Sequence, residues 1–365
     1  MPRAEYVGSE KCAECHKEIA QNYSHSAHYL TSRPAAKDSI AGKFDTGKNT
    51  LQTANPALVY HMESTDTGFF QAAVEGNPPD SSVNRERFDI VVGSSRKGQS
   101  YLYWKGDQLF QLPVSYWTEL DSWVNSPGYL DGVADFHRPI LPRCLECHAT
   151  YFDASGLFSN QYKKSGYVLG ISCEKCHGPG REHVQRYSSA NKSGTDGALV
   201  NPAKLGLERQ MDGCGLCHGG IGQALAPAFT FRPGDALSKY VKLTEPRPND
   251  YIDVHGNQVA LLERSRCFQR SSNLTCTSCH NVHTVQRDAA SFSRYCLSCH
   301  KAENCGEFHK VGQQIAKDCV SCHMPLQQSN AIISSFNGAT VRPMVRSHWI
   351  KVYPEAEAPK SKSQP

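Results

Sequence analysis

Seven copies of one short pattern, Cys-x-x-Cys-His, run through this 365-residue chain and constrain its fold more than any other feature. A chain with 16 cysteines and 16 histidines would contain about 0.03 copies by chance, so composition does not produce the array. Numbered motif 1 to motif 7 in chain order, the cysteine pairs are Cys12 and Cys15, Cys144 and Cys147, Cys173 and Cys176, Cys214 and Cys217, Cys276 and Cys279, Cys296 and Cys299, and Cys319 and Cys322. The histidines that end the motifs are His16, His148, His177, His218, His280, His300 and His323. The repetition indicates seven sites with the same chemistry.

Covalent attachment of haem explains both the cysteine pair and the histidine of each motif. The two thiols form thioether bonds to the vinyl groups of one porphyrin, and the adjacent histidine ligates its iron. Zinc ribbons use Cys-x-x-Cys in pairs without a histidine after each second cysteine, and seven copies would leave one pair without a partner. Thioredoxin-like sites usually occur once, beside a strand and helix pattern that is absent here. The motifs therefore predict seven haem c groups, each with a proximal histidine.

The haem content also determines the expected fold class. Hydrophobic residues make up 39% of the chain and the mean hydropathy is −0.51, which is little for an aliphatic core of this size. Seven haems would give one large apolar porphyrin for every ~52 residues, and the chain can wrap these porphyrins in place of an aliphatic core. We predict a mostly irregular and α-helical multihaem cytochrome c fold organised around seven covalent haems, which collapses without them. A small antiparallel β module is inserted after the first motif.

The β module is predicted in the 132-residue interval between the starts of motifs 1 and 2. Two stretches there, LVYHMESTDTGFFQAAV (58–74) and YLYWKGDQLFQLPV (101–114), place strand-forming residues on both sides of a polar turn that contains glycine, which is typical of β-hairpins. The predicted organisation is an N-terminal haem segment (1–43), the β module (44–120), a hexahaem cytochrome domain (121–350) and a flexible tail (351–365).

Charge and hydropathy restrict the partners and the compartment. The formal charge of +4 omits the cofactors, and seven haems with ionised propionates would change it to about −3 when oxidised and about −10 when reduced. This argues against nucleic acid as a partner. No apolar run is long enough for a transmembrane helix, and no signal peptide precedes motif 1. Because haem c is attached outside the cytoplasmic membrane, we expect a periplasmic or extracellular protein whose export signal is missing from this sequence.

Histidines outside the motifs are the candidates for the second axial ligand of each iron. A haem with one histidine ligand can bind small molecules, whereas a second strong ligand closes the iron and leaves electron transfer as its natural role. Nine histidines lie outside the motifs, which is enough for seven bis-histidine haems. The predicted distal ligands are His28, His61, His137, His183, His283, His309 and His348. The alternatives His25 and His255 remain open, as does the ligand role of His137. Methionines are available but less favoured.

Position along the chain supports several of these assignments. His183 and His283 lie so close to their own motifs that a short loop cannot easily wrap both faces of one porphyrin, so each is expected to serve a neighbouring haem. His28 is preferred to His25 on the segment that follows motif 1. His348, next to Trp349, would anchor the C-terminal end of the chain.

Two cysteines, Cys267 and Cys305, lie outside the motifs. They could be buried thiols, a disulfide or metal ligands. A disulfide is modestly favoured, because exported thiols tend to be paired and the closed loop would join motifs 5 and 6.

Several longer stretches resemble one known family, the cytochrome c-554-like multihaem cytochromes c. The resemblance rests on YVGSEKCAECHKEIAQNYSHSAH, CEKCHGPGREHV, SRCFQRSSNLTCTSCHNVH and KDCVSCHMP, and it extends over nearly the whole chain, including LPVSYW and NPAKLGLERQ. It implies bis-histidine haems stacked in close pairs, distal ligation by His28, His183 and His283, and Cys267 and Cys305 as features of the type. The wider superfamily includes enzymes acting on nitrite or hydroxylamine, whose active haem often has lysine in place of the motif histidine. No Cys-x-x-Cys-Lys occurs here.

These observations lead to one main functional hypothesis and two alternatives. The main hypothesis is an exported heptahaem cytochrome c that passes electrons one at a time along closely spaced, mainly bis-histidine haems, with no catalytic residues of its own. The first alternative is a multihaem oxidoreductase in which one open haem acts on nitrite, hydroxylamine or a sulfur oxyanion. The second is a subunit of an extracellular conducting filament. The expected partners are other redox proteins or copies of this chain.

Overall fold

The computed structural model describes residues 5–76, 79–188, 199–247 and 249–354. The chain divides into two compact units. The first unit contains Met1–Pro202, Ala224–Pro233 and Ile332–Pro343, and the second contains Ala203–Gln223, Gly234–Ala331 and Met344–Pro365. Motifs 1 to 3 therefore belong to the first unit and motifs 4 to 7 to the second, so that the predicted hexahaem domain spans parts of both. The predicted flexible tail lies outside the described residues from residue 355 onwards.

The helices are short and many of them contain or adjoin a haem motif. In the described residues the α-helices are α1 (Ser9–Ala13), α2 (Lys17–Ser24), α3 (Pro142–Glu146), α4 (Cys173–His177), α5 (Arg181–Ser188), α6 (Leu207–His218), α7 (Gln258–Glu263), α8 (Arg266–Gln269), α9 (Ala289–Leu297), α10 (Phe308–Val311) and α11 (Cys319–His323). Helices of this length are marginal in isolation, so packing must hold them. No helix in the described part of the chain is long and apolar enough to cross a membrane.

The strands are more numerous than the sequence indicated. They are β1 (Ser32–Pro34), β2 (Thr50–Gln52), β3 (Leu58–Thr65), β4 (Gly68–Glu75), β5 (Ser82–Arg87), β6 (Ile90–Val92), β7 (Gly98–Lys105), β8 (Gln108–Gln111), β9 (Val114–Trp117), β10 (Ser122–Asn125), β11 (Ala149–Ala154), β12 (Tyr162–Leu169), β13 (Gly222–Ala224), β14 (Val241–Leu243), β15 (Leu326–Gln328), β16 (Ser334–Phe336), β17 (Ala339–Val341) and β18 (Met344–Arg346). All strand pairs with a described register are antiparallel.

Two sheets contain most of the strands of the first unit. One has six strands in the order β1-β6-β7-β9-β10, with β8 paired to β7, and the other has four in the order β2-β3-β4-β5. The hairpins predicted in 58–74 and 101–114 are present as β3–β4 and β7–β8. The six-stranded sheet extends beyond the predicted limits at both ends, through β1 and β10. These edge strands have three and four residues, too few to show an alternating apolar pattern.

The core of the first unit lies where side chains of the two sheets meet. Along β3, the buried residues Leu58, Tyr60 and Met62 alternate with half-buried ones, as expected for a strand with one face in the core. They join Phe88 and Trp123 in one aromatic-rich cluster. In a second cluster, the β11–β12 hairpin and α3 pack against the opposite face of the six-stranded sheet. The first unit therefore has a substantial apolar core of its own, which the composition did not suggest.

The second unit is built from short helices and connecting segments. Four of the haem motifs lie in it, and one of its apolar clusters contains Ile252, Val254 and Leu261, with Trp349 packed against them. The strands β15 and β18 form a two-stranded ladder. This unit matches the predicted mixture of irregular and helical structure more closely than the first unit does.

Candidate haem-binding centres

Motifs 1 and 3 lie side by side in the first unit. Motif 1 begins in α1 and motif 3 forms α4. The thiols of their first cysteines, Cys12 and Cys173, share a hydrogen bond that lowers the pKa of Cys173 to about 6 and raises that of Cys12. The Ser9 hydroxyl lies 3.7 Å from the sulfur of Cys173. Two porphyrins attached here would therefore begin at neighbouring sulfur atoms.

The histidine of motif 1 faces a histidine that follows motif 3. The rings of His16 and His183 are nearly parallel, with centres 6.4 Å apart and an interplanar angle of 25°. A metal–imidazole bond is about 2.0 Å long and a ring centre lies about 1.1 Å beyond its nitrogen, so two axial imidazoles on one metal ion have centres about 6.2 Å apart. The spacing of this pair fits one iron between the two rings.

The second unit repeats both features. Motifs 4 and 5 approach each other through their first cysteines, since a hydrogen bond with Cys214 lowers the pKa of Cys276. The sulfur of Cys276 also lies 3.8 Å from that of Met211. The rings of His280 and His348 have centres 6.0 Å apart and an interplanar angle of 29°, and this spacing again fits two ligands of one iron.

The environment of His348 keeps its imidazole in the neutral form that binds metals. Burial, followed by the neighbouring His280, lowers the pKa of His348 to about 4, and burial lowers the pKa of His280 as well. The buried Nδ1 atom of His348 has no hydrogen-bond partner among the described residues. Such an orphaned polar atom is costly in an interior that lacks a ligand, so the site suits a group that the imidazole can contact.

Three motif histidines are held through the ring nitrogen that would face away from iron. His177 Nδ1 donates to the carbonyl of Val200 at 2.9 Å, and His323 Nδ1 donates to the carbonyl of Lys351 at 2.9 Å. His148 Nδ1 lies 3.1 Å from the hydroxyl of Thr31. A hydrogen bond at Nδ1 fixes the ring orientation and leaves Nε2 available as the metal ligand. The sequence could not indicate these partners, because two of them are backbone carbonyls.

Motifs 5, 6 and 7 lie close together in the second unit. Behind the effect of burial, the charges of Cys276 and Cys299 contribute to the raised pKa of Cys279, and that of Cys319 contributes to the raised pKa of Cys296. The buried Ser293 of α9 connects two of these motifs, since its hydroxyl accepts from Cys319 N at 3.0 Å.

The other predicted distal ligands have varied surroundings. His28 accepts a backbone hydrogen bond from Ile171, just before motif 3, and His283 lies in the turn after motif 5. Across the four-stranded sheet, His61 is paired with Thr50 and Ala72. The exposed His137 lies beside Asp135, and His309 is exposed on α10. Within the described residues, no motif histidine stacks on these last three, and their ligand roles stay predictions.

The favoured disulfide between Cys267 and Cys305 is absent. Both are free thiols. Behind the effect of burial, the charge of Cys267 contributes to the raised pKa values of Cys279 and Cys296. The charge of Cys305 contributes to the raised pKa of Cys322. The two thiols therefore neighbour the cysteines of different motifs.

The chemistry of the donor set fits haem rather than a metal held by protein alone. In the described part of the chain, no group of three or more histidine, cysteine or carboxylate side chains converges as a metal site. Pairs of imidazoles at axial spacing suit a metal ion whose remaining ligands belong to a porphyrin. Beside Cys173, a cavity of about 300 Å³ opens among α1, α2 and Tyr29, where apolar and aromatic side chains could contact a porphyrin.

Comparison with known proteins supports the family that the motifs predict. A family model described as cytochrome c554 and c-prime matches residues 122–178, which contain motifs 2 and 3. The chain is 22% identical over 398 residues to the dissimilatory sulfite reductase MccA of Wolinella succinogenes, covering 89% of this chain and 51% of the relative. It is 25% identical over 183 residues to the multiheme cytochrome MtrA of Shewanella baltica, covering 43% of this chain and 51% of the relative. These matches support placing the chain among the multihaem c-type cytochromes.

The fold of this multihaem cytochrome also resembles a solved structure. The outer cell wall cytochrome OcwA superposes with a TM-score of 0.58 at 17% identity, covering 95% of this chain and 80% of that one. Haem c, covalently bound, is the cofactor that the family implies. The cytochrome spans about half the length of the curated relatives that it matches.

Proposed function

We propose that this cytochrome is an exported heptahaem electron carrier, which passes electrons one at a time along closely spaced, mainly bis-histidine haems. The observation that carries the proposal is the spacing of the two nearly parallel histidine pairs, His16 with His183 and His280 with His348. Each pair offers an iron two protein ligands and leaves no coordination position for a substrate. Bound haem supplies a one-electron iron centre at each motif.

The residues of the chain hold and orient these centres. The fourteen motif cysteines would provide thioether links, and the neighbouring sulfur atoms of Cys12 and Cys173 would place two attachment points side by side. The Nδ1 hydrogen bonds of His177 and His323 fix the rings on which ligation depends. The rate of electron transfer falls steeply with the distance between haems, so closely spaced attachment points favour it. The fixed histidine rings limit the structural rearrangement that accompanies a change of iron charge.

The arrangement of motifs 1 and 3 supports further pairings. The histidine after motif 3, His183, faces motif 1, and the backbone of His28, after motif 1, is hydrogen-bonded next to motif 3. We assign His28 to His177 as the reciprocal pair. By analogy with His183, which faces the earlier motif of its pair, we assign His283 after motif 5 to His218 of motif 4. His61, His137 and His309 are the proposed ligands for the haems that remain.

The test compares a ligand variant with its neighbour. The oxidised unmodified protein is expected to show low-spin ferric signals in electron paramagnetic resonance, and the reduced protein to bind no carbon monoxide. The variant His348→Ala should open one iron, giving one high-spin signal and about one equivalent of carbon monoxide binding. The variant Trp349→Phe, one residue away, should give neither. High-spin signal in the unmodified, fully loaded protein would reject a fully closed set of irons.

A second candidate function is reduction of a sulfur oxyanion. The similarity to a dissimilatory sulfite reductase over 89% of this chain favours it, although the chain spans about half of that relative. It requires one iron with a free position, so the same resonance and carbon monoxide measurements distinguish it. Oxidation of a reduced dye that depends on added sulfite would support the enzyme, and a sulfite-independent rate would reject it.

The proposed location is the periplasm or the cell exterior, where haem c attachment occurs, with other redox proteins as partners. Copies of this chain are the alternative partners. Size-exclusion chromatography of the holoprotein distinguishes the two, because a filament subunit should elute as polymers and a soluble carrier as a discrete species.

A further inference from the structure

Glu174 occupies the second position of motif 3 and is 4% exposed. Its carboxylate accepts three backbone hydrogen bonds, from Val7 at 2.8 Å and Gly180 at 2.9 Å on one oxygen, and from Gly8 at 2.9 Å on the other. An ionised carboxylate is acceptor-only, so three N–H donors match it, whereas a protonated one would lack an acceptor for its hydrogen. The side chain therefore holds a buried negative charge.

This carboxylate joins the two motifs that lie side by side. Val7 and Gly8 immediately precede α1, which carries the first cysteine of motif 1, while Glu174 itself belongs to α4 and motif 3. At the third contact, a Cβ atom on Gly180 would lie 3.0 Å from a methyl group of Val7 and 3.3 Å from a carboxylate oxygen, so glycine allows close packing here. Loss of the side chain would remove two hydrogen bonds that hold the N-terminal segment against motif 3.

Two other motifs of the first unit carry a glutamate between their cysteines, but both are neutralised. Glu14 of motif 1 is 59% exposed and forms an ion pair with Lys11 at 2.6 Å. Glu146 of motif 2 is buried, and its charge is balanced by Arg143 at 2.5 Å. Among the described residues, no cation forms an ion pair with Glu174. Of the three, Glu174 alone is a buried carboxylate without a paired cation in the described part of the chain.

We propose that Glu174 is a positioning residue of the haem pair held by motifs 1 and 3, which fixes the two motifs together and lowers the reduction potential of that pair. The inference rests on the proposed electron-transfer function. Reduction adds a negative charge to a haem, and a nearby anion that water does not screen opposes it. The field of Glu174 reaches both attachment points. Its carboxylate belongs to the residue after Cys173 and accepts from the two residues that precede α1, which contains Cys12.

The test measures reduction potentials in three holoprotein variants by titration, followed by absorbance and electron paramagnetic resonance. Glu174→Gln removes the charge and keeps the shape, and it should favour reduction of the paired haems about tenfold, a rise of about 59 mV for a one-electron couple. Glu174→Asp keeps the charge and should leave the potentials nearer those of the unmodified protein. Glu14→Gln makes the same chemical change in motif 1 at an exposed position and should shift nothing.

The outcomes separate charge from structure. Equal shifts in the Gln and Asp variants, or an unchanged titration in a fully loaded Glu174→Gln protein, overturn the proposal. If that variant does not accumulate with its full haem mass, the unmodified protein is used instead. A redox titration followed by nuclear magnetic resonance, with the signals assigned to each haem, then gives the order in which the haems are reduced. The haem of motif 2, where Arg143 balances Glu146, should then be reduced before the pair, and the reverse order overturns the proposal. High-spin signals would reject the closed irons of the proposed function independently of either result.

Discussion

The two units of this cytochrome hold their haem motifs by different means. The first unit has three motifs, and the twelve largest fully buried side chains of the described residues all belong to it. Leu145, between the cysteines of motif 2, is itself part of an apolar cluster with β-sheet residues. The second unit has four motifs on short helices. Where the first unit attaches motifs to a sheet scaffold that packs without them, the second must obtain more of its interior from the haems.

Buried hydroxyl groups connect the segments of the second unit. Ser265 is fully buried and joins α7 and α8 to the C-terminal segment, donating to the carbonyl of His348 at 3.1 Å and accepting from Ile350 N at 2.8 Å. Ser293 links α9 to motif 7 in the same manner. Such bonds are directional but contribute less than the burial of large side chains. They fix the segments well once the haems have brought them together.

The largest expected effect follows from withholding haem. A chain that is produced in a host unable to attach haem c should keep slow amide hydrogen exchange in β3, β4 and β7. The aromatic-rich cluster into which these strands pack contains no motif residue. The segments of the second unit should exchange as an unfolded chain does. Hydrogen exchange with mass spectrometry measures both, and the loaded protein serves as the control. Equal loss of protection in both units would show that the haems determine the whole fold.

The sequence indicated the parts of this structure that depend on local pattern. The motifs have a fixed spacing, and the hairpins β3–β4 and β7–β8 show alternation around a polar turn. The distal histidine ligands were harder to assign from the sequence. Proximity in sequence indicated that His183 serves a different motif but not which one, because its approach to His16 depends on contacts made 167 residues away. The hydrogen bond from His323 to the carbonyl of Lys351 has no sequence signal at all, since every residue carries that group.

A core truncation in the first unit should have the next largest effect. Phe88 is 1% exposed and stacks on Tyr101 with ring centres 4.3 Å apart. Phe88→Ala should lower the free energy of unfolding by about 3–5 kcal/mol, because it removes a large buried ring and leaves a cavity. Denaturant unfolding followed by tryptophan fluorescence measures the loss. The haem absorbance should be unchanged in the folded variant, and altered haem spectra would show that the sheet core and the haem sites are not independent.

A smaller effect is expected from the buried hydroxyl of the second unit. Ser265→Ala leaves the Ile350 N–H without its acceptor and should cost about 1–3 kcal/mol. The loss should appear at the haem as well, because the same serine holds the His348 segment, so the low-spin spectrum should convert to high-spin at a lower temperature. Ser271→Ala, whose hydroxyl contacts only the nearby Asn273, is the matched control. If Ser265→Ala converts to high-spin at the same temperature as the control, Ser265 does not help to hold the ligand.

The smallest effect is expected on the outer face of the four-stranded sheet. Arg85 pairs with Glu63 at 2.7 Å and lies over the ring of Phe70, but both charged side chains are more than a third exposed. Water and salt screen such a pair, so Arg85→Gln should cost no more than about 1 kcal/mol, and part of that cost should vanish in high salt. Denaturant titrations at two salt concentrations measure it. If this surface variant destabilised the sheet as much as Phe88→Ala, the stability of the first unit could not be assigned to its buried core, and the contrast between a self-supporting unit and a haem-supported one would have to be abandoned.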